Sequence, residues 1–261
     1  MEKEQGDIRV RVKNGVVNIS KLAAAGSDLM DAVVFEPHGA GDASDPPLNV
    51  EFQPEAKCPR FNAYLQEVFP MERGKANLLQ QFAGYILLPD NRYNRACILQ
   101  GAGANGKSVF VQLLWRILGS ALVAEIAVMD DLQSAFSTPA LQGKRLLSFS
   151  DLNPRSKRAV AVLKSIIAGD IVEGWWKYKR EVIAFKPTCK PIFCQNINME
   201  MRYELAHGLM DRLLIIPFTH QFTASYRDPD LLEKLTAEKD GVFLWMLAGA
   251  VTLLRHDGFV V

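Results

Sequence analysis

Polar and apolar residues alternate at the start of the chain, over residues 7–19 (DIRVRVKNGVVNI). This alternation is typical of β-strands, and the Asn14-Gly15 pair at its centre favours a tight hairpin turn. Residues 36–59 are rich in proline, glycine and aspartate, which predicts an irregular segment. From residue 61 to 88 the apolar positions recur at helical spacing, with a break near Gly74. The first 90 residues are therefore predicted to form an accessory, collar-like region, a hairpin followed by helices.

After Pro89 the pattern changes to short apolar runs that alternate with helical stretches. The predicted strands cover residues 96–100, 122–126, 145–150, 191–196 and 212–218. The predicted helices cover residues 109–119, 129–136, 157–168, 229–238 and 241–255, and a hairpin is predicted at 171–186. Continuously apolar strands between helices are typical of a parallel sheet that is covered on both faces. The predicted fold is therefore α/β, with a core domain over residues 91–225 and a C-terminal helical segment, 226–261, packed on it.

The composition is that of an ordinary globular protein, with 49% hydrophobic and 23% charged residues among 261. Because the formal net charge is only +1, any contact with nucleic acid must come from a local patch or from repetition around an oligomer. The polar N-terminus predicts no signal peptide, and the apolar run 242–254 is too short to span a bilayer. The protein is expected to be cytoplasmic, with no membrane contact. Its cysteines lack zinc-site spacing and are expected to be reduced thiols: Cys58, Cys97, Cys189 and Cys194.

Residues 101–108 (GAGANGKS) match the phosphate-loop pattern G-x-x-x-x-G-K-S, between an apolar strand and an apolar-striped helix. Glycines allow backbone N–H groups to turn toward a β-phosphate, Lys107 can reach the β- and γ-phosphates, and the Ser108 hydroxyl can bind Mg²⁺. The pattern indicates a nucleoside triphosphate, and since no GTPase-type N-K-x-D motif is present, ATP with Mg²⁺ is predicted. The predicted binding residues are Gly101, Ala102, Gly103, Ala104, Asn105, Gly106, Lys107, Ser108 and Val109.

A single aspartate, Asp151, ends the apolar strand in GKRLLSFSDLN. In phosphate-loop folds the strand with the Mg²⁺-binding carboxylate ends beside the loop, which predicts Asp151 and Ser108 as the metal ligands. An alternative is that Asp151 or Asn153 caps the helix that follows. The acidic pair Asp130-Asp131 is interpreted as the solvated start of a helix.

Two further polar residues are candidates for a role in hydrolysis. Asn196 closes an apolar strand and could hold the attacking water against the γ-phosphate, or it could be a turn residue together with Asn198. Arg212 precedes the last strand, where its guanidinium could reach the γ-phosphate of a neighbouring subunit. Arg202 is a second candidate for that role, and a surface salt bridge is the alternative for either arginine. The predicted catalytic set is Lys107, Asp151, Asn196 and Arg212.

The predicted hairpin at 171–186 carries cations interleaved with aromatic residues in the string WKYKR. Such a tip suits single-stranded nucleic acid, since the charges hold phosphates and the rings stack on bases. The alternative is a solvated hairpin, and for Trp175 and Trp176 packing against the protein is favoured over base contact. The predicted DNA-contacting residues are Trp176, Lys177, Tyr178, Lys179 and Arg180.

The order of these motifs resembles the superfamily 3 helicases of the AAA+ class, in particular the helicase portion of phage/plasmid and poxvirus-type primase-helicases. The resemblance covers about residues 7–258. It rests most on the strings ILQGAGANGKS, LQGKRLLSFSDLN, LKSIIAGDIVEGWWKYKREVIAFKP, PIFCQNIN and DRLLIIPF.

The resemblance implies an AAA+ P-loop core in a ring, usually a hexamer, that binds ATP between subunits and moves 3′→5′ on single-stranded or forked DNA. It implies a role in replicating a phage, plasmid or related mobile element, with a primase or polymerase domain outside this chain. Asp151 would match the second acidic motif, Asn196 the γ-phosphate sensor and Arg212 the arginine finger acting in trans. The chain departs from the pattern at Ser150-Asp151, where a glutamate beside a second acid is usual, and at Asp211-Arg212, where a pair of arginines is common.

Two other functions stay open from the residues alone. A nucleotide-gated initiator would assemble on DNA and hydrolyse ATP weakly, which the lone Asp151 favours. A small-molecule phosphotransferase would share the phosphate loop, because that loop does not say what the nucleotide drives.

Overall fold

A computed structural model describes residues 7–24, 35–36, 46–150, 156–176, 181–196, 208–223 and 227–260. Asp151, Asn153, Asn198, Arg202 and the hairpin tip from Lys177 to Arg180 lie outside these ranges.

The N-terminal region is a small sheet followed by helices, as the pattern predicted. Its elements are β1 (Arg9–Val12), β2 (Gly15–Asn18), α1 (Ile19–Ala24), β3 (Phe35–Glu36), α2 (Pro59–Val68) and α3 (Arg73–Leu87). The antiparallel pairing of Val12 with Gly15 confirms the hairpin at Asn14-Gly15. The predicted helical break near Gly74 is present at residues 69–72. Pro70 disfavours helical backbone at the residue before it, and Met71 turns with φ 61°.

Within the described residues seven strands follow α3, and five of them form one parallel sheet. The strands are β4 (Ala96–Gln100), β5 (Val123–Ile126), β6 (Leu146–Phe149), β7 (Val172–Trp175), β8 (Val182–Phe185), β9 (Lys190–Gln195) and β10 (Leu213–Pro217). The parallel sheet has the order β10-β4-β9-β6-β5, while β7 and β8 form a separate antiparallel hairpin. The predicted α/β class with a parallel sheet is confirmed, and all five predicted strands are present.

Helices cover both faces of the parallel sheet, which explains why its strands are apolar on both sides. Helix α4 (Lys107–Leu118) packs Phe110 and Leu114 against the face that carries Leu99 and Ile192. Helix α5 (Lys157–Ala168) covers the opposite face, where Phe149 and Phe193 stack with their ring centroids 4.6 Å apart. The stretch predicted as a helix at 129–136 is instead one short 3₁₀ helix, Met129–Gln133, and a second one follows at Thr138–Leu141.

The last two helices, α6 (Leu231–Ala237) and α7 (Lys239–His256), join the N-terminal region to the sheet domain. Helix α7 runs along α3, where Gly84 and Gly249 allow the two backbones to approach closely. The Glu238 carboxylate accepts from the backbone N–H groups of Arg60 (3.0 Å) and Phe61 (2.9 Å), which caps α2. One hydrophobic core therefore extends from Ile8 to Leu253. The domain boundaries near residues 90 and 225 stay predictions. Among the described helices, none has the length and apolar character that a bilayer span requires.

Candidate nucleotide-binding site

The loop between β4 and α4 has the backbone shape of an anion cradle. Gly103 and Gly106 have φ angles of 99° and 88°, in the left-handed region that glycine adopts without strain, and Ala104 has φ 49°. Gly106 is the N-cap of α4 and has no side chain that could accept from the first turn. The N–H groups at this helix end, together with the helix dipole, therefore present a positive surface to a ligand.

Lys107 lies inside this loop, with only 5% of its surface exposed. Its ammonium donates to the carbonyl oxygen of Gly101 (2.7 Å) and to Oδ1 of Asn105 (2.9 Å). Burial lowers the pKa of Lys107 below its usual value. Phosphate oxygens accept charge-assisted hydrogen bonds from an ammonium, so the loop holds this group where a bound phosphate chain would use it.

A cavity of about 580 Å³ opens over the loop at the carboxyl edge of the sheet. Residues 103–109 form one wall, and the ends of β6 and β9 add Ser150, Cys194 and Asn196. Ligands of open α/β sheets bind at this edge, and the volume is in the ordinary range for small-molecule sites. The predicted residues Gly103 to Val109 thus line one cavity together with Asn196. Gly101 lies behind it, where its N–H donates to the Gln195 carbonyl (3.0 Å).

The loop is held from outside by groups that the sequence analysis did not select. The hydroxyl of the fully buried Tyr64 on α2 donates to the Gly106 carbonyl (3.1 Å), and burial raises the pKa of Tyr64. On the other side Asn105 Nδ2 donates to the Phe218 carbonyl (3.2 Å), and the Phe222 N–H donates to the Ala104 carbonyl (2.8 Å). Tyr64 was part of a helical apolar stripe, and no local signal distinguishes it from a core residue.

The donors present fit Mg²⁺ bound together with a phosphate chain. Ser108, in the first turn of α4, is exposed and lines the cavity, so its hydroxyl offers one oxygen ligand. Mg²⁺ usually takes one or two protein oxygens and completes its shell with phosphate oxygens and water. The described residues contain no group of three or more His, Cys, Asp or Glu side chains that could hold a metal by themselves. All four cysteines, which lie within the described ranges, are free thiols.

Arg212 lies at the other end of the sheet from the loop of its own chain. It precedes β10, whose first residue pairs with Ala96 and whose last pairs with Gln100 beside the loop. Five strand residues, at about 3.3 Å each, put roughly 17 Å between Arg212 and that edge. Its Nη1 donates to the Lys164 carbonyl (3.0 Å). Arg212 therefore does not line the nucleotide cavity of its own chain.

Trp176 is the one predicted DNA-contacting residue that the described ranges include. Trp175 and Trp176 are 40% and 41% exposed, so each is partly covered by the protein and partly open to solvent. Whether they pack against the protein or contact bases stays a prediction. The cross-strand partner of Trp175 is Val182, which is 48% exposed. The hairpin therefore presents an aromatic and apolar surface next to its tip.

The cavity also contains residues that the sequence analysis left unassigned. Gln112 and Trp115 of α4, Ser148 of β6 and Glu125 of β5 also line the cavity, and Glu125 lies beside Ser148 on the neighbouring strand. Glu125 lies within a predicted strand, and the alternation of a strand does not identify which of its polar residues face a cavity. Its position on the cavity depends on the pairing of β5 with β6.

Comparison with known proteins supports a relation to helicases. Residues 99–212 match the model of a family described as one of unknown function, DUF5906. The chain is similar to the Acanthamoeba polyphaga mimivirus protein named "Putative helicase L207/L206", with 27% identity over 223 residues. That match covers 77% of this chain and 23% of the mimivirus protein, so the chain spans less than a quarter of this relative.

Solved structures of the NrS-1 C-terminal region share the fold. The A form apo structure has a TM-score of 0.62 at 16% identity and covers 79% of this chain and 50% of that one. A second apo structure of the region has a TM-score of 0.62 at 15% identity and covers 83% and 55%. The chain spans about half of these proteins. At this identity the likeness shows the fold alone, an α/β core of the phosphate-loop NTPase kind.

Proposed function

We propose that this chain is the ATP-dependent motor of a ring-forming superfamily 3 DNA helicase that acts in replication of a phage, plasmid or related mobile element. The observation that carries the proposal is the phosphate loop on a shared cavity with Asn196, which comes from the adjacent strand β9. Sequence similarity to a protein named as a helicase supports it.

In this proposal each predicted catalytic or metal-binding residue has one role in hydrolysis. Lys107 and the loop N–H groups hold the phosphate chain, and Ser108 with Asp151 holds Mg²⁺, which neutralises phosphate charge when bound. Asn196 orients the attacking water through its side-chain amide. Positioning and charge stabilisation are the main means by which phosphoryl transfer is catalysed, which suits a site built from a rigid loop and strand ends.

The motor is proposed to work as a ring, with a hexamer as the expected form. Arg212 lies about one sheet length from its own phosphate loop, so a neighbouring subunit must receive its guanidinium if it acts on a γ-phosphate. The β7–β8 hairpin would face single-stranded DNA in the channel, with translocation 3′→5′. Trp176 is exposed as this role requires. A primase or polymerase domain of the same replication system is the proposed further partner.

Loss of the P-loop lysine is the direct test of the ATPase. Lys107→Ala should lower DNA-stimulated ATP turnover by at least about 100-fold, because one charged donor to the transferred phosphate is lost. Lys157→Ala, at an exposed lysine on α5, is the matched control and should keep full turnover. DNA-stimulated hydrolysis that persists in Lys107→Ala would refute the proposal.

The hairpin tip is tested through the salt dependence of DNA binding. Replacing Lys177, Lys179 and Arg180 with alanine should weaken single-strand binding and reduce the slope of log K against log salt by about 2, since three phosphate contacts are lost. A triple variant with an unchanged slope would remove the hairpin from the DNA interface. The ATPase without DNA serves as the folding control.

A second function has one observation in its favour. Ser150, which precedes Asp151 and lines the cavity, stands where an acid would assist hydrolysis. A nucleotide-gated initiator would bind ATP tightly and turn it over negligibly. Measuring ATP affinity and turnover on the same preparation separates this function from the motor.

A further inference from the structure

A tyrosine of the N-terminal region contacts the phosphate loop from outside the cavity. Tyr64 belongs to α2, is fully buried, and donates through its hydroxyl to the carbonyl oxygen of Gly106 (3.1 Å). A β-carbon at Gly106 would lie 3.0 Å from Cε2 and 3.2 Å from the hydroxyl oxygen of Tyr64, so the ring packs directly against this glycine. Since Tyr64 is not among the described residues that line the cavity, its effect on a ligand must act through Gly106.

The contacted carbonyl belongs to the peptide unit that begins α4. Gly106 is the N-cap of this helix, and its carbonyl oxygen also accepts from the Phe110 N–H (3.1 Å) in the first turn. The peptide bond to Lys107 is trans, so the Lys107 N–H points in the opposite direction to the Gly106 carbonyl. At a helix start this N–H group has no acceptor within the helix and is directed toward a bound anion. A donor on the carbonyl side therefore fixes the direction of a donor on the phosphate side.

The Tyr64 hydroxyl affects this N–H group in two ways. Gly106 has φ 88° and no side chain, so its backbone is free to adopt other directions unless neighbouring groups hold it. The hydroxyl supplies such a restraint. Hydrogen bonds in a chain also polarise one another, so donation to the Gly106 carbonyl makes the Lys107 N–H a stronger donor. Both effects favour the same bond to a phosphate oxygen.

Helix α2 holds the hydroxyl in place because it is itself fixed at its start. The Glu238 carboxylate caps its first turn, at the junction of α6 and α7. The fully buried Phe61 packs edge-on against Trp245 of α7, with the ring centroids 4.9 Å apart. Tyr64 follows Phe61 by about one helical turn. The position of the hydroxyl is therefore set by the packing of the N-terminal region on α7.

We propose that Tyr64 is a positioning residue of the nucleotide site, which orients the Gly106–Lys107 peptide unit for the phosphate chain; this role rests on the proposed function. The group that it serves is the β-phosphate, whose oxygens accept from the loop N–H groups. ATP and ADP share this phosphate, so the affinity for both depends on Tyr64 alike. The N-terminal region is thereby a part of the nucleotide site.

Removal of one hydroxyl separates positioning from folding. Tyr64→Phe should weaken the binding of fluorescent ATP and ADP analogues equally, by about 5-fold, which is the usual size of one lost hydrogen bond. KM for ATP should rise by the same factor with kcat unchanged, as expected for binding energy that the ground state and the transition state share. A purely structural role would not divide KM from kcat in this way.

Tyr93→Phe is the matched control. The Tyr93 hydroxyl donates to the Leu253 carbonyl (3.0 Å), a bond of the same kind, and Tyr93 is outside the set of described residues that line the cavity. This variant should lose a similar amount of stability in urea denaturation and keep the nucleotide affinity of the unchanged protein. The same denaturation curves show whether Tyr64→Phe is folded under the conditions of the binding assay.

Three results would overturn the role of Tyr64. They are an unchanged nucleotide affinity in Tyr64→Phe, a fall in its kcat with KM unchanged, and an equal loss of affinity in Tyr93→Phe. Hydrolysis that survives in Lys107→Ala would instead refute the proposed function. The two failures are distinguishable, because the affinity of Tyr64→Phe for the nucleotide analogues is measured without turnover.

Discussion

Two buried lysines stand at opposite edges of the same parallel sheet. Lys107 is at the carboxyl edge, with its ammonium bonded to loop oxygens below a cavity of about 580 Å³. Lys190 begins β9 at the amino edge and is fully buried. Its Nζ donates to the carbonyls of Leu88 (2.5 Å) and Thr188 (2.8 Å) and lies 5.0 Å from the centroid of the Tyr85 ring.

The difference between the two lysines lies in what surrounds them. The cavity allows a ligand to exchange with the partners of Lys107, so its charge can be used for binding. Lys190 is enclosed, and burial lowers its pKa well below the usual value. Its Nζ donates to the carbonyl of Leu88, directly after the end of α3, and so caps that helix end. The same residue type with similar exposure therefore borders a cavity at one edge and contacts only protein groups at the other.

Replacing each lysine with alanine should give the largest difference in stability between the two edges. Lys190→Ala should lower the free energy of unfolding by about 4 kcal/mol, because it leaves a cavity and two buried carbonyls without a donor. Lys107→Ala should lower it by less than about 1 kcal/mol, since water in the cavity can replace the lost bonds. Urea denaturation of both variants measures the difference.

Lys190→Met is the matched control, because it keeps most of the volume and removes only the donor. It should recover about half of the loss in Lys190→Ala. Equal stability losses in the Lys107 and Lys190 variants would show that the two edges are energetically alike.

Each lysine has a neighbouring thiol whose reactivity reports on its surroundings. Burial raises the pKa of Cys194, on the nucleotide cavity, to about 11, and that of Cys189, next to Lys190, to about 12. At pH 8 Cys194 should therefore react with iodoacetamide about 240-fold more slowly than a free thiol of pKa about 8.5. ATP should slow it further, while enclosed Cys189 should react only on unfolding. Peptide mass spectrometry over time follows both sites.

The same two thiols predict a loss of stability in alkaline solution. Each has a higher pKa folded than unfolded, so between about pH 9 and 11 the unfolded state loses its protons first. The free energy of unfolding should consequently fall as pH rises through that window. In the labelling experiment, equal rates for Cys189 and Cys194 would show that the amino edge of the sheet is not enclosed.

Two buried asparagines repeat the comparison with a smaller expected effect. Asn91 Nδ2 donates to the Ile166 carbonyl (2.6 Å) near the end of α5, and Asn105 connects Lys107 with the Phe218 carbonyl. Asn91→Ala should cost about 2 kcal/mol of stability and leave ATP affinity unchanged. Asn105→Ala should cost about 1 kcal/mol and weaken ATP binding, because the lysine loses a positioning partner. Thermal unfolding measures the stability loss of each variant, and nucleotide titration measures its ATP affinity. A larger stability loss in Asn105→Ala, or weaker ATP binding in Asn91→Ala, would contradict the prediction.

Sequence patterns predicted the features that depend only on residues close together in the chain. The Asn14-Gly15 turn, the apolar strands and the end of α4 at Gly119 (φ 82°) follow from backbone preferences and periodicity within a few residues. The phosphate loop follows in the same way, since its glycines, lysine and serine are consecutive and its flanking strand and helix are apolar. These features determined the α/β class and the position of the candidate nucleotide site.

Tertiary structure decided which distant residues meet. The insertion of β9 between β4 and β6 brings Asn196 to the loop, and the pairing of β5 with β6 brings Glu125 to the same cavity. Lys190 and Asn91 look unremarkable in sequence, because their partners are carbonyls as far as 102 and 98 residues away in the chain. Periodicity reports the face on which a side chain lies, whereas strand order and burial depend on how the whole chain packs. The sequence alone therefore determined the phosphate loop with its Lys107, and the fold decided which residues of other strands share its cavity.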